Sequence, residues 1–330
     1  MNRSKLLQTL EVVGRALERN NVLPIYEYFC FTGSTVFAFN DSFGIVAPCQ
    51  VPKPFAVHGP RFRDFLQASK ADEIEMEVEQ DQLLFMLGKT PHVLPSKTSS
   101  DFVWVEPNPG KIFIEGVTKG IELCLPTCSE NLALEAFARI CIKDSNGKLT
   151  IYSTDGDALT KYTTDIGGNL DVCLSRAFCD AIVKIGSENL VISDEWICSH
   201  FEDYKVYGRN LGPTTFDYET NIGKILGGAV FDLVDIPKPK LNEDLTRARV
   251  VSDVETSATT ITIKGNVLEL QTETPFGNVY DEIKVKHPDI VVKISAELLQ
   301  KSMADCNQFR VLKNCCVFKG ENVMRLVSNF

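Results

Sequence analysis

Three stretches of the chain share one layout, and a repeat of this kind constrains the architecture before any single element is assigned. The middle copy runs from Val172 through Phe178 and Ile182 to Gly186-Ser187 and then to an apolar stretch, Leu190 to Ser193. Upstream, Ala56-Val57 leads to Phe62 and Leu66. These are followed by Ile74-Glu75-Met76-Glu77-Val78, whose apolar and acidic residues alternate as in a half-exposed strand. Downstream, Val292 to Ser295 leads to Leu298, Leu299 and Met303, then to Phe309 through Leu312. Aligning Phe62, Phe178 and Leu298 gives offsets of 116 and 120 residues. A second marker agrees: Asn40-Asp41, Thr154-Asp155 and Thr272-Glu273 each follow an apolar strand, at offsets of 114 and 118. Three units of about 110 residues fill the 330-residue length. The expected divisions are 1–108, 109–230 and 231–330, near the turn-rich Glu106 to Gly110 and the stretch from Gly223 to Pro239.

Each unit reads as a helix, a run of strands, a second helix and more strands. Leu6, Leu10, Val13 and Leu17 fall on one helical face, and counterparts are expected near Val117 to Leu125 and Leu241 to Val250. Asn146-Gly147 and Gly265-Asn266 are tight-turn signals between alternating segments. The expected class is α+β, with three similar domains and antiparallel sheet dominating.

Apolar residues make up 44% and charged residues 24%, which excludes wholesale disorder. No run of eighteen apolar residues occurs, and the N-terminus has no signal-type apolar block, so neither a membrane span nor export is expected. Eleven cysteines without a CxxC are expected to be small buried hydrophobes in a reducing cytoplasm. No phosphate-cradling glycine loop, HExxH pair or nucleophile elbow is present, so neither a cofactor nor catalysis is expected. Cys198 and His200 share a strand face, but two ligands do not make a metal site. Asp155-Gly156-Asp157 with Asp171 could form an acidic cluster, although a turn between strands explains it more simply.

With 34 Lys+Arg against 44 Asp+Glu, the net charge is −10, and bulk attraction cannot hold such a chain on DNA. The distribution is more informative. Six expected helical windows (3–20, 59–71, 111–125, 174–186, 238–249 and 294–305) hold 16 basic and 10 acidic residues, whereas the remainder holds 18 and 34. Either these are ordinary solvated helix faces, or the helices share a surface that meets a polyanion.

Three repeats, two helices per repeat and basic helices beside acidic sheets resemble the bacterial-type DNA sliding clamp, the beta subunit of the replicative polymerase. The resemblance spans the whole chain. Its specific residues are Asn21-Val22-Leu23-Pro24-Ile25 and Ser153-Thr154-Asp155-Gly156-Asp157-Ala158-Leu159. Tyr207-Gly208-Arg209-Asn210-Leu211, Phe216-Asp217-Tyr218 and Val323-Met324-Arg325-Leu326 add to them. The divergence is that of a phage-encoded member.

The resemblance implies a non-catalytic processivity factor, a head-to-tail ring, most simply a homodimer, that encircles double-stranded DNA in a bacterial or infected cytoplasm. Residues implied to face DNA are Arg15, Arg19, Arg61, Arg63, Lys119, Arg176, Lys184, Lys240 and Arg247. Short peptides of the polymerase and the clamp loader would enter a cleft formed by Phe137, Thr154, Gly156, Leu159, Val323, Met324 and Leu326. The implied oligomer interface includes Leu94, Val250 and Val251. Ala158 stands where the family has arginine, and Val327 to Phe330 extend past the family's end, so host peptides are expected to bind poorly. The rival readings are a β-rich scaffold or viral structural protein, and a metal-dependent enzyme with a dispersed site.

Overall fold

The computed structural model describes all residues except 19–22, 99–100, 103, 108–109, 228–231, 252–257, 275–276 and 329–330. Its elements repeat one order, helix, four strands, helix and three strands, three times, with one extra strand before the second and third runs and one extra helix between those runs. The first run is α1 (Arg3–Val13), β1 (Tyr28–Phe31), β2 (Thr35–Phe39), β3 (Phe43–Pro48), β4 (Phe55–His58), α2 (Gly59–Ala68), β5 (Ile74–Glu79), β6 (Gln82–Leu87) and β7 (Thr90–Lys97). The second begins with β8 (Ile112–Glu115) and α3 (Thr118–Cys124), then β9 (Arg139–Ser145), β10 (Lys148–Thr154), β11 (Ala158–Thr163) and β12 (Asp171–Ser175). It ends with α4 (Arg176–Ile185), β13 (Asn189–Ile192), β14 (Trp196–Phe201), β15 (Tyr204–Arg209) and α5 (Tyr218–Leu226). The third opens with β16 (Val234–Asp235), α6 (Lys238–Val251), β17 (Ala258–Lys264), β18 (Val267–Thr274), β19 (Gly277–Lys284) and β20 (Ile290–Ser295). It closes with α7 (Ala296–Met303), β21 (Gln308–Val311), β22 (Cys315–Lys319) and β23 (Val323–Ser328).

Local chemistry sets the helix ends. The Asn2 side chain accepts the Lys5 N–H at 2.8 Å to start α1, which buries Leu6, Leu10 and Val13 at helical spacing. A 3₁₀ turn, Gly14–Ala16, then ends it earlier than the 3–20 window implied. His58 caps α2, Asp217 caps α5 and Ser295 caps α7, each accepting a backbone N–H three residues on. The 111–125 window splits. Gly116 takes a left-handed φ of 78°, so Ile112–Glu115 forms a strand and the helix begins only at Thr118. Helix α5 was not expected, although its Asp217 cap and its left-handed Gly227 terminator both stand in the sequence.

Both turn signals hold: Asn146-Gly147 and Gly265-Asn266 have positive φ at both residues. All named strand pairs are antiparallel, as the alternation predicted.

Two compact units account for the chain. Met1–Thr118 with Ala177–Leu211 forms one, and Lys119–Arg176 with Gly212–Phe330 the other. The first carries an eleven-stranded sheet ordered β5-β6-β7-β4-β1-β2-β3-β15-β14-β13-β8. Within it β3 pairs with β15, joining strands far apart in sequence, and Trp104 covers this region, stacked on Phe39 at 5.2 Å. The second holds an eight-stranded sheet, β12-β9-β10-β11-β23-β22-β21-β16, and a four-stranded one, β19-β18-β17-β20. There β11 pairs with β23. Its core packs Leu241, Leu245 and Leu299 of the helices against Ile261, Leu268, Ile294, Phe309 and Phe318. Burying one such leucine contributes roughly 2 kcal/mol.

Candidate functional site

The second unit contains a cavity of about 420 Å³ on the β10–β11 turn, the β23 strand and α5. Phe137, Thr154, Gly156, Leu159 and Leu326 line it, all five expected in the cleft. The turn beneath holds itself rigid. Asp155 Oδ1 accepts the N–H groups of Asp157 at 3.0 Å and Ala158 at 2.7 Å, and Thr154 Oγ1 donates to the Ala158 carbonyl at 2.7 Å. Burial pushes the Asp155 carboxyl up, against those backbone bonds. Asp155 therefore serves a turn, the simpler of the two sequence readings, while Asp171 stands on β12 and accepts the Thr214 N–H at 3.1 Å. Gly156 adopts φ 103°, and a β-carbon there would lie 3.7 Å from the Phe137 ring, so glycine suits both the turn and the cavity wall.

Strand alternation explains which β23 residues reach the cavity. Leu326 lies opposite Leu159 and faces it, together with Ser328. Val323 points to the other face, into the core with Val327, and is not among the lining residues. Met324 shares Leu326's face but lies beside Lys161, beyond the cavity. Sequence reasoning missed much of the far wall. Phe216 meets Phe137 edge-on at 5.7 Å, while Asn221, Lys224 and Ile225 come from the unforeseen α5. Ala158, at the family's arginine position, is buried in the wall, and Lys224 and Asp157 are the charged residues lining the cavity.

A carboxylate anchors α5. Glu219 Oε1 accepts hydrogen bonds from the Tyr152 hydroxyl and from Lys161 Nζ, the latter at 2.5 Å. Tyr152 stacks on Tyr218 at 4.8 Å, and Tyr218 contacts Phe216 at 4.7 Å, so the anchor is continuous with the cavity wall. Burial alone would raise the Glu219 carboxyl, but the Lys161 and Tyr152 bonds outweigh it and hold the group below its ordinary value.

The residues expected to face DNA divide into three kinds. In the first unit Arg15 and Arg61 are exposed, Arg63 is half-buried, and none of the three has an ion-pair partner among the described residues. Arg63 Nη1 would lie 3.6 Å from a β-carbon on Gly14, which brings it beside the 3₁₀ turn after α1 that carries Arg15. Its buried Nε has no hydrogen-bond partner. Four others are paired within the fold: Lys119 with Glu122 at 2.9 Å, Lys184 with Asp180 at 2.6 Å, Lys240 with Asp244 at 2.9 Å, and Arg247 with Glu243 and Asp281, each at 2.8 Å. Arg176 differs in kind. Its guanidinium donates to the carbonyls of Leu125 and Cys128 and pairs with Glu130, so it ties the turn after α3. Arg19 lies outside the described residues.

Among the described residues no group of three His, Cys, Asp or Glu is placed to hold a metal ion. Cys198 Sγ lies 3.3 Å from His200 Nε2 without a third ligand, and burial pushes its thiol up to about 12. All eleven cysteines are buried and unbridged. No described helix is long and apolar enough to cross a membrane.

No family model matches the chain, and no curated protein matches it. Solved structures do. A DNA polymerase III subunit beta sliding clamp from Bartonella birtlesii, bound to griselimycin, superposes with a TM-score of 0.88 at 15% identity. The DNA polymerase III subunit beta from Pseudomonas aeruginosa gives 0.84 at 16%. The DNA polymerase III beta chain from Streptococcus pneumoniae gives 0.84 at 17%. Each alignment covers 100% of this chain and 98% of the other. At such low identity it is the fold that the match establishes.

Proposed function

We propose that this chain, which has the fold of the polymerase III beta clamps from end to end, is itself a DNA sliding clamp. It would be an accessory factor of a replicative polymerase with no chemistry of its own, acting in a bacterial or infected-cell cytoplasm. The observation that carries the reading is the full-length superposition on clamps at TM-scores of 0.84 to 0.88. The threefold element order supports domains at 1–108, 109–230 and 231–330.

The strand edges support a head-to-tail dimer. The β3·β15 and β11·β23 seams each join equivalent edges of successive repeats, and the same positions in the first and last repeats are β7 and β19. Among the described residues each lacks a full partner, so pairing them between two copies closes the set. Leu94 lies on β7. Val250 is 81% exposed, and the Val251 carbonyl accepts the Thr274 hydroxyl at 2.5 Å, which places the end of α6 beside the start of β19.

Encirclement explains how an acidic chain works on DNA, because topology replaces affinity and weak phosphate contacts permit sliding. Arg15, Arg61 and Arg63, free of internal acids, would make the principal contacts. Lys119, Lys184, Lys240 and Arg247 would contribute less because each also faces a carboxylate. The 420 Å³ cavity would take an apolar side chain from a polymerase or loader peptide, anchored against Phe137, Leu159 and Leu326. The test is light scattering combined with primer extension. A particle of twice 36.7 kDa that lengthens polymerase products when a loader and ATP are supplied is expected. A monomer at every concentration, with unchanged products, would refute the reading and favour a scaffold.

A further inference from the structure

The hydrogen-bonding groups along the two unfilled edges can be counted. In antiparallel sheet, the N–H and C=O of alternate residues point to opposite neighbours. At β15 the Asn210 N–H goes to Glu195 of the β14 side, so Lys205 and Tyr207 face β3, opposite Val46 and Gly44. At β23 the Ser328 N–H reaches the Asp157 carbonyl at 2.8 Å, so Leu326 and Met324 face β11, opposite Leu159 and Lys161. Every one of these inward-facing residues has an N–H to give.

The β7 edge differs. The Ser96 N–H goes to the Asp81 carbonyl at 2.8 Å, so the even-numbered residues face β6 and the odd-numbered ones face away. Lys97 is taken up opposite Ala56 of β4. The outward set is therefore Pro91, Val93 and Pro95. Two of these three have no N–H. On β19 the Val285 N–H goes to the Asn266 carbonyl at 2.9 Å, which leaves Asn278, Tyr280, Glu282 and Lys284 facing outward with their N–H groups intact. Apolar surface is exposed at both edges, with Val93 at 52% and Tyr280 at 56%.

Resting on the clamp reading above, in which β7 receives β19 of a second copy, we propose that Pro91 and Pro95 make this intermolecular seam donor-poor. It is then the weakest joint of the ring. β7 offers three carbonyls but a single N–H, from Val93. The internal β11·β23 seam, by contrast, has no proline on either strand. Prolines on an edge strand also discourage indiscriminate strand addition. The partner strand must bring the donors, and β19 does so. The ring would separate into monomers on dilution while both internal seams stay formed.

The test restores the donors one at a time. Pro91→Thr, Pro95→Thr and the double variant are compared with the unaltered full-length chain by sedimentation velocity and by dilution of fluorescently labelled protein. Each restored N–H should lower the dimer dissociation constant by about threefold to tenfold, and the double variant should lower it further. Val93→Pro, which removes the remaining donor, should raise it by about tenfold or more. Losing a proline alters the unfolded chain of monomer and dimer alike, so the dissociation constant isolates the seam. A dimer whose dissociation constant is unmoved by all four variants overturns this proposal and leaves the clamp reading standing. A monomer at every concentration in every variant overturns both.

Discussion

Replacing Arg325 by methionine should destabilise the second unit far more than a surface substitution would. The side chain is 1% exposed on β23. Its Nη1 donates to the carbonyls of Lys301 at 3.1 Å and Ser302 at 3.2 Å, at the end of α7. Its Nη2 donates to the Leu123 carbonyl at 3.0 Å, at the end of α3, and reaches Asp305 Oδ2 at 3.4 Å. One cation thus satisfies the negative ends of two helices. Methionine fills most of the volume, so the cavity contribution is small, but three carbonyls lose a charged donor worth roughly 1.5–3 kcal/mol each. Relief from burying a guanidinium offsets several kcal/mol of that loss. The net expectation is about 3–4 kcal/mol, within the range found for removing one member of a buried charged pair. For a body of this size that corresponds to a fall in Tm of about 10 °C. Differential scanning calorimetry of the full chain reads it. A shift below about 3 °C would refute the helix-capping role, and Arg325→Lys, with one donor head instead of a fork, should fall between.

Other outcomes follow from the same geometry. Changing Arg15, Arg61 and Arg63 together to Ala should leave Tm within about 2 °C yet shorten residence on DNA severalfold; an equal effect from changing Lys240 and Arg247, which are paired internally, would show that internal pairing does not weaken a phosphate contact. Phe137→Ala or Leu159→Ala should weaken binding of a polymerase-derived peptide by about tenfold or more in calorimetric titration, while Met324→Ala, beyond the cavity, should change it less than twofold. The Glu219 carboxyl, held below its ordinary 4.5, contributes stability that is complete above that value and is lost as pH falls through the depressed one. Urea unfolding between pH 6 and pH 3 should therefore show a loss that Glu219→Gln flattens, and identical profiles would refute the anchor.

Much of the architecture was legible because period and turn chemistry are local. The alternation at Ile74 to Val78 became β5, and Asn146-Gly147 and Gly265-Asn266 became tight turns. The helix expected near Val117 to Leu125 forms at Thr118–Cys124, but the wider 111–125 window does not hold, because Gly116 sets Ile112–Glu115 off as a strand. In the cleft, the motif around Thr154 to Leu159 was visible because the turn carries its own hydrogen bonds. The far wall was not, since it depends on Phe216 and Ile225 being brought across by α5. Val323 and Arg325 look alike from sequence as parts of a C-terminal motif; only pairing with β11 decides that Leu326 faces the cavity while Arg325 turns inward. The prolines of β7 carried no signal until the bond from Ser96 fixed which way they point.

Residence on a single linear duplex tests encirclement most directly. With bulky blocks on both ends, the loaded protein should persist; freeing one end should release it rapidly, whatever the sequence. Equal lifetimes on the blocked and open duplexes would contradict the account.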